Sequence, residues 1–282
     1  HRGVPYILHS CGRVEAVMED FIDHIGIDAK HSFEDIIEPV EETKRKWGHK
    51  VAVLGGIDVD LLSRGSEVEV RERTREVIRK CAPGGGYALG SDVVFALDAA
   101  ASQFYDEGKR VYRIDGSELS EEKLMEYWLG VVDEFPVVSI EDPFHEEAFG
   151  AYAELLRRSR GRFMVVGDDL TVTNPSRFKK AVEEKAISGL IVKVNQVGTL
   201  SEALEVVELA KSSGVKTIVS HRSGESEDST IAHIAVAIGG PFIKTGAPAR
   251  GERTAKYNEL LRIEDYLGDD AVYAARLVRL AR

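Results

Sequence analysis

The chain has 282 residues, 43% of them hydrophobic and 30% charged, and a formal net charge of −11. That length suits one large barrel or two small domains, and the acidic balance argues against nucleic acid and anionic membrane as partners. The two cysteines, Cys11 and Cys81, are too few for a disulfide framework, and no apolar run is long enough to span a bilayer.

The opening stretch, HRGVPYILHSCG, has no long apolar core before a cleavage site, so no signal peptide is expected. The chain begins with His1 rather than Met, which reads as processing or trimming, and a cytoplasmic location is expected. Short β-branched runs then alternate with helical stretches. Strands are predicted over 6–9, 28–32 (the weakest), 51–55, 93–97, 137–140, 164–167, 190–194, 217–220 and 242–245. Helices are predicted between them, over 13–24, 67–80, 121–134, 175–184, 200–212 and 230–237. The βαβα order predicts an α/β fold with a parallel sheet and helices outside it. Right-handed crossovers would close it into a (β/α) TIM-type barrel. Such a barrel has eight strands, and counting 28–32 makes nine.

Ionisable residues stand at the ends of successive apolar runs. They are Asp98 in VVFALDAAASQFY, Glu141 in VVSIEDPF, Asp168 in MVVGDDLTVTNP, Lys193 in LIVKVNQVGTL, His221 in IVSHRSGESED and Lys244 in FIKTGAPAR. Most are separated by about one βα unit. A parallel barrel builds its active site from charged groups at successive strand ends. Taken singly, Lys193 reads as a snorkelling lysine and His221 as a satisfied polar histidine; their places in the series favour a site instead. Asp142 and Asp169 follow their partners directly, alternate away from them in a strand, and are given supporting roles.

From about 92 to about 268 the chain resembles enolase, in long ungapped motifs that keep the family's order. They are DVVFALDAAASQFY, FPVVSIEDPFHEE, VVGDDLTVTNPSR, LIVKVNQVGTLSEA, VSHRSGESEDSTIA and IKTGAPARGERTAKYNELLRIE. It departs at Gln103, where the family usually has Glu, and at Gly251, where it usually has Ser. The resemblance implies a lyase that dehydrates 2-phosphoglycerate to phosphoenolpyruvate with Mg²⁺. It assigns the metal to Asp98, Glu141 and Asp168, whose hard oxygens suit Mg²⁺, and the general base to Lys193. Burial near another cation would bring that lysine toward a useful range. It gives the substrate's phosphate and neighbouring groups to His221, Arg222 and Ser223, Arg222 offering a planar fork. Lys244 would hold and polarise the carboxylate. Catalysis would rest on Lys193, His221 and Lys244, and the partner is a small phosphorylated carboxylic acid.

Residues 1–87 resemble the C-terminal half of the uroporphyrinogen decarboxylase family, which includes cobalamin-dependent methyltransferases. The motifs are PYILHSCG, GIDAKHSFEDIIEPVEETKRKWG, VAVLGGIDVDLL and APGGGY. The expected organisation is a segment 1–87 of that kind and an enolase-like segment 88–282, joined into one barrel. In the methyltransferase branch a pair like His9 and Cys11, with a later Cys, holds zinc; three protein ligands are needed, and Cys81 is a poor third. Zinc is therefore the weaker expectation beside Mg²⁺. His31 and Asp58 are also expected near the strand-end mouth.

Nothing in the chain matches the GDEGGFAPN-type segment or the lid-bearing N-terminal domain of enolases. Loss of one acid–base partner costs about 10²–10⁴-fold, so the enolase-like site is expected to be weak or inactive. The other readings are a non-catalytic recombined barrel chimera and a zinc–thiol methyltransferase remnant. Either a monomer or a homodimer is expected.

Overall fold

The computed structural model describes residues 7–274 apart from 11, 32, 82, 84–86 and 89–93. The chain divides into two compact units, His1–Val94 and Phe95–Arg282.

In the first unit, β1 (Ile7–His9), β2 (Ala29–His31) and β3 (Ala52–Leu54) lie parallel and in chain order. Between β2 and β3 lies α1 (Val40–Trp47), and after β3 come α2 (Val59–Arg64) and α3 (Glu67–Cys81). A short strand, β4 (Tyr87–Ala88), completes a four-stranded sheet. This strand was not among those predicted. Phe33, Val40, Val53, Val77 and Cys81 form the buried cluster under α1 and α3. Arg73 on α3 ties the helices together, donating to Asp35 Oδ1 at 2.7 Å and to Glu41 Oε1 at 2.6 Å. The helix expected over 13–24 is instead a 3₁₀ turn, Glu15–Val17, followed by a π-helical stretch, Asp20–Ile25, which ends at Gly26 with φ 76°. Asp58 is a helix cap: its carboxylate accepts the N–H of Asp60 at 2.7 Å and of Asp35 at 2.8 Å.

The second unit opens with β5 (Phe95–Asp98) and a 3₁₀ turn. A three-stranded antiparallel sheet follows: β6 (Tyr105–Asp106), β7 (Val111–Ile114) and β8 (Ser117–Leu119). Then the alternation is regular: α4 (Glu121–Glu134), β9 (Val137–Glu141), α5 (Phe149–Ser159), β10 (Met164–Gly167), α6 (Pro175–Glu183), β11 (Gly189–Val192). It continues with α7 (Val194–Val197), α8 (Leu200–Ser212), β12 (Lys216–Ser220), α9 (Thr230–Ala237), β13 (Phe242–Lys244) and α10 (Gly251–Leu267).

β5, β9, β10, β11, β12 and β13 form a six-stranded parallel sheet in chain order. That is the α/β, TIM-type arrangement expected. All four residues of β11 are buried, as a strand covered on both faces requires. Helix starts are set locally: Ser120 caps α4, Asn174 caps α6 with Pro175 behind it, and Thr199 caps α8. These caps fix where each helix leaves its strand end. No helix among the described residues is long and apolar enough to cross a membrane.

Candidate active site at the strand ends

β5 ends on Asp98 and β9 on Glu141, and the two are register partners. Asp168 and Lys193 directly follow β10 and β11, His221 directly follows β12, and Lys244 ends β13. All six therefore sit at C-terminal strand ends of one sheet. Lys244 Nζ donates to Asp98 Oδ2 at 2.7 Å and to both Glu141 oxygens, at 2.8 and 2.9 Å. Lys193 Nζ donates to Asp168 Oδ2, and Gln196 Nε2 to Asp168 Oδ1 at 3.1 Å. Lys244 is thus brought to Asp98 and Glu141, and Lys193 to Asp168, while the carboxylates that gather around Asp168 are those of Asp142 and Asp169 rather than Asp98 and Glu141.

Burial pushes the Glu141 carboxyl up to about 7. The Lys244 hydrogen bonds oppose that shift, while the negative charges of Asp98 and Asp168 add to it. Burial pulls the Lys244 ammonium down, but its hydrogen bonds to Asp98 and Glu141 outweigh this, and its net displacement is upward.

Asp142 has a larger part than sequence reasoning assigned. Its φ of 44° turns the chain out of strand geometry, so simple alternation does not place its side chain. The carboxylate accepts the backbone N–H of Asp168 at 3.0 Å and of Asp169 at 2.7 Å. The Tyr152 hydroxyl lies 3.0 Å from Asp142 Oδ1 and 3.1 Å from the Phe144 carbonyl oxygen. Burial raises Asp142 to about 7 against the pull of those two N–H groups. Burial and the Asp168 charge also raise Asp169. Ligand oxygens of Asp142, Asp168 and Asp169 all lie within 4.8 Å of one another. Beyond Asp168 the chain winds through two left-handed residues, Val172 (φ 44°) and Thr173 (φ 51°). Thr173 Oγ1 donates to Gln196 Oε1 at 2.6 Å and accepts the Lys193 N–H at 3.0 Å. The turn thereby couples the loop bearing Asp168 to the loop bearing Lys193.

His221, Arg222 and Ser223 form the opposite corner. Arg222 and Ser223 are exposed, and Arg222 Nη1 donates to Asn195 Oδ1 at 3.1 Å. Arg253 on α10, not predicted, contacts His221 Nδ1 and the carbonyls of Arg222 and Ser223. Its sequence signal was only its place in GERTAKY. Cys11 and the side chain of His9 lie outside the described residues, and the zinc reading lies there with them. Cys81 is a buried free thiol whose pKa burial raises.

A parallel α/β sheet whose successive C-terminal ends carry three carboxylates and two lysines marks a barrel protein with a strand-end ionic cluster. Residues 38–281 match the family described as enolase, C-terminal TIM barrel domain, and the chain belongs to that family. It is 48% identical to the enolase of Corynebacterium kroppenstedtii over 209 residues, 74% of this chain and 49% of that protein. It is 51% identical to the Beutenbergia cavernae enolase over 191 residues, 68% of this chain and 44% of that one. With the Methanocaldococcus jannaschii enolase it shares 55% identity over 177 residues, 63% of this chain and 41% of that protein. The chain spans about half the length of the curated relatives it matches, or somewhat less. The family match reaches back to residue 38, far into the segment whose motifs resemble uroporphyrinogen decarboxylase, and no finding supports that second family.

Proposed function

We propose that the strand-end cluster is an enolase-type site that removes the C2 proton of 2-phosphoglycerate. The observation that carries this reading is the convergence of Asp98, Glu141 and Asp168 with Lys193 and Lys244 on one sheet of an enolase-family chain. The donor set fits Mg²⁺, because all three ligands are hard carboxylate oxygens. The upward displacement of Glu141, set first by burial and then by the Asp98 and Asp168 charges, is what a cation placed there would reverse. Asp98, Glu141 and Asp168 would hold the ion, which when bound supplies the charge that stabilises an enolate.

Lys193 takes the proton in this reading. It is only 13% exposed, so little water competes with substrate for it. Lys244 orients the carboxylate, and Arg222 and Ser223 bind the phosphate with His221 beside them. Among the described residues, the gathered groups supply a base and a charge clamp, and none of them is assigned as the acid that would protonate the departing hydroxide. Proton exchange is therefore proposed to outrun dehydration. NMR of 2-phosphoglycerate in deuterated buffer with Mg²⁺ tests this. Loss of the C2 proton signal with little phosphoenolpyruvate is the expected result. No exchange at high protein concentration would sink it and favour a ligand-free structural role, which also predicts no Mg²⁺ binding.

A further inference from the structure

The first turns of α10 grip two neighbouring strand-end loops. Lys256, wholly buried, donates to Glu225 Oε2 at 2.5 Å and to the carbonyls of Ser226 and Glu252 at 2.5 and 2.6 Å. Tyr257 donates its hydroxyl to the Gly246 carbonyl. One helix turn earlier, the Arg253 guanidinium spans the start of the 221–223 loop. Its Nη2 reaches the Ser223 carbonyl at 2.9 Å, and its Nη1 reaches the Arg222 carbonyl at 2.9 Å and the His221 Nδ1.

The last contact dictates a protonation state. A guanidinium has only donors and keeps its proton throughout the accessible pH range. The ring nitrogen that faces it must therefore present a lone pair. With Nδ1 accepting, the proton of a neutral imidazole resides on Nε2. Among the described residues, Nε2 has no hydrogen-bond partner. Burial and the Arg253 charge also push His221 below the usual histidine range.

Gly246 makes this close approach sterically accessible. Its φ is +85°, and a Cβ there would lie 2.8 Å from Arg253 Cδ and 3.1 Å from His221 Cε1. Glycine meets both demands, the left-handed backbone and the missing side chain. The charges acting on the ring are Arg253 and Lys256 from α10, Lys244 from β13 and Glu225 from its own loop. The carboxylate among them is already paired with Lys256.

We propose that Arg253 is a positioning residue that fixes His221 as the neutral Nε2–H tautomer, so that His221 donates a hydrogen bond to an oxygen of the bound anionic substrate and does not act as a base. The assignment rests on the proposed reading in one respect, that His221 borders the substrate.

The test is a long-range ¹H–¹⁵N spectrum of protein with ring-labelled histidine. His221 is assigned among the eight histidines by comparison with His221→Gln. The expected wild-type result is a single Nε2–H tautomer that stays neutral below the ordinary histidine pKa of about 6.5. In Arg253→Met the ring should become a tautomer mixture and titrate near that ordinary value. The exchange reaction of Arg253→Met should slow about tenfold or more, as for a lost hydrogen bond to a charged group, and gain an acid limb in its pH profile. Arg253→Lys, which keeps a cationic donor, should restore part of both. An Nδ1–H tautomer or an imidazolium in the wild type at neutral pH would overturn the proposal, as would an unchanged His221 in Arg253→Met. The wild-type spectrum decides the tautomer even if the variant does not fold. Because it is recorded without substrate, absent exchange in the wild type would overturn the proton-abstraction reading and leave the tautomer to the spectrum.

Discussion

Raising the pH from 5 to 8 without divalent cations should destabilise this protein. Glu141 moves from its ordinary 4.5 to about 7, and Asp142 from 3.8 to about 7. A carboxyl whose folded pKa is raised contributes stability below its unfolded pKa and loses it as pH climbs through the folded one. At 1.36 kcal/mol per tenfold, the part of each shift that falls between pH 5 and pH 8 corresponds to roughly 3 kcal/mol for Glu141 and about as much for Asp142. They share Asp168 as a neighbour and titrate together, so a combined loss of roughly 3–5 kcal/mol is expected. Asp169 acts in the same direction. His221, displaced downward, opposes it in the same window, as one group against three. Glu154, held down at about 2 by Arg157 and Arg158, titrates below this window. Urea unfolding in EDTA at pH 5 and pH 8 measures the difference. At pH 8, Mg²⁺ at a hundred times its Kd should return about 2.7 kcal/mol. Glu141→Gln should flatten the pH dependence by roughly 3 kcal/mol and abolish the Mg²⁺ response. Equal or greater stability at pH 8 in EDTA would refute the reasoning.

Lys193→Ala should abolish C2 proton exchange, by about 10²-fold or more, while Mg²⁺ affinity by calorimetry holds or rises because a competing cation has left Asp168. Lys244→Met leaves Asp98 and Glu141 side by side without their ammonium; it should destabilise the metal-free protein by about 1–3 kcal/mol at pH 8, and Mg²⁺ should recover most of that in the same urea titration. Tyr152→Phe removes the hydroxyl beside Asp142 and should cost about 1–2 kcal/mol, read as an unfolding midpoint shift.

The second unit was legible because its strands carry long β-branched runs that end in charged residues. Val137–Glu141 and Gly189–Val192 could hardly be read otherwise. The antiparallel sheet over 105–119 was missed, although Asp115-Gly116, both at positive φ, carries a hairpin signature. Its strands are too short for periodicity to register. The first unit's predicted helix over 13–24 lacks a cap: neither Val14 nor Glu19 makes a side-chain cap bond, and the segment winds as 3₁₀ and π turns. The ionic residues of the site were identifiable from their strand ends. Of their controllers, Asp142 was given only a supporting role and Arg253 was not singled out. Asp142 enters the cluster only because its backbone is left-handed, and Arg253 arrives from the helix after the last strand, a tertiary placement that no local pattern encodes.

The charge arithmetic of the cluster explains why lysines and carboxylates are arranged as they are. Lys244 serves Asp98 and Glu141, and Lys193 serves Asp168, while Asp142 and Asp169 crowd the same Asp168. Two ammonium groups thus face five carboxyls. Burial first, and the neighbouring carboxylate charges after it, raise Glu141 and Asp142, and both causes favour partial neutralisation by proton uptake without further positive charge. A divalent cation removes the imbalance by another route: it requires the ionised carboxylates, so its binding releases protons. It would also free Lys193 and Lys244 from their salt bridges for work on a substrate. Site assembly and catalytic readiness are then one event, and Mg²⁺ binding below pH 7 should be accompanied by measurable proton release that disappears at pH 9. Proton-coupled calorimetry in buffers of different ionisation enthalpy separates this from simple docking: a proton count of zero at pH 6 would mean that the lysines, not the cation, are the permanent partners of these carboxylates.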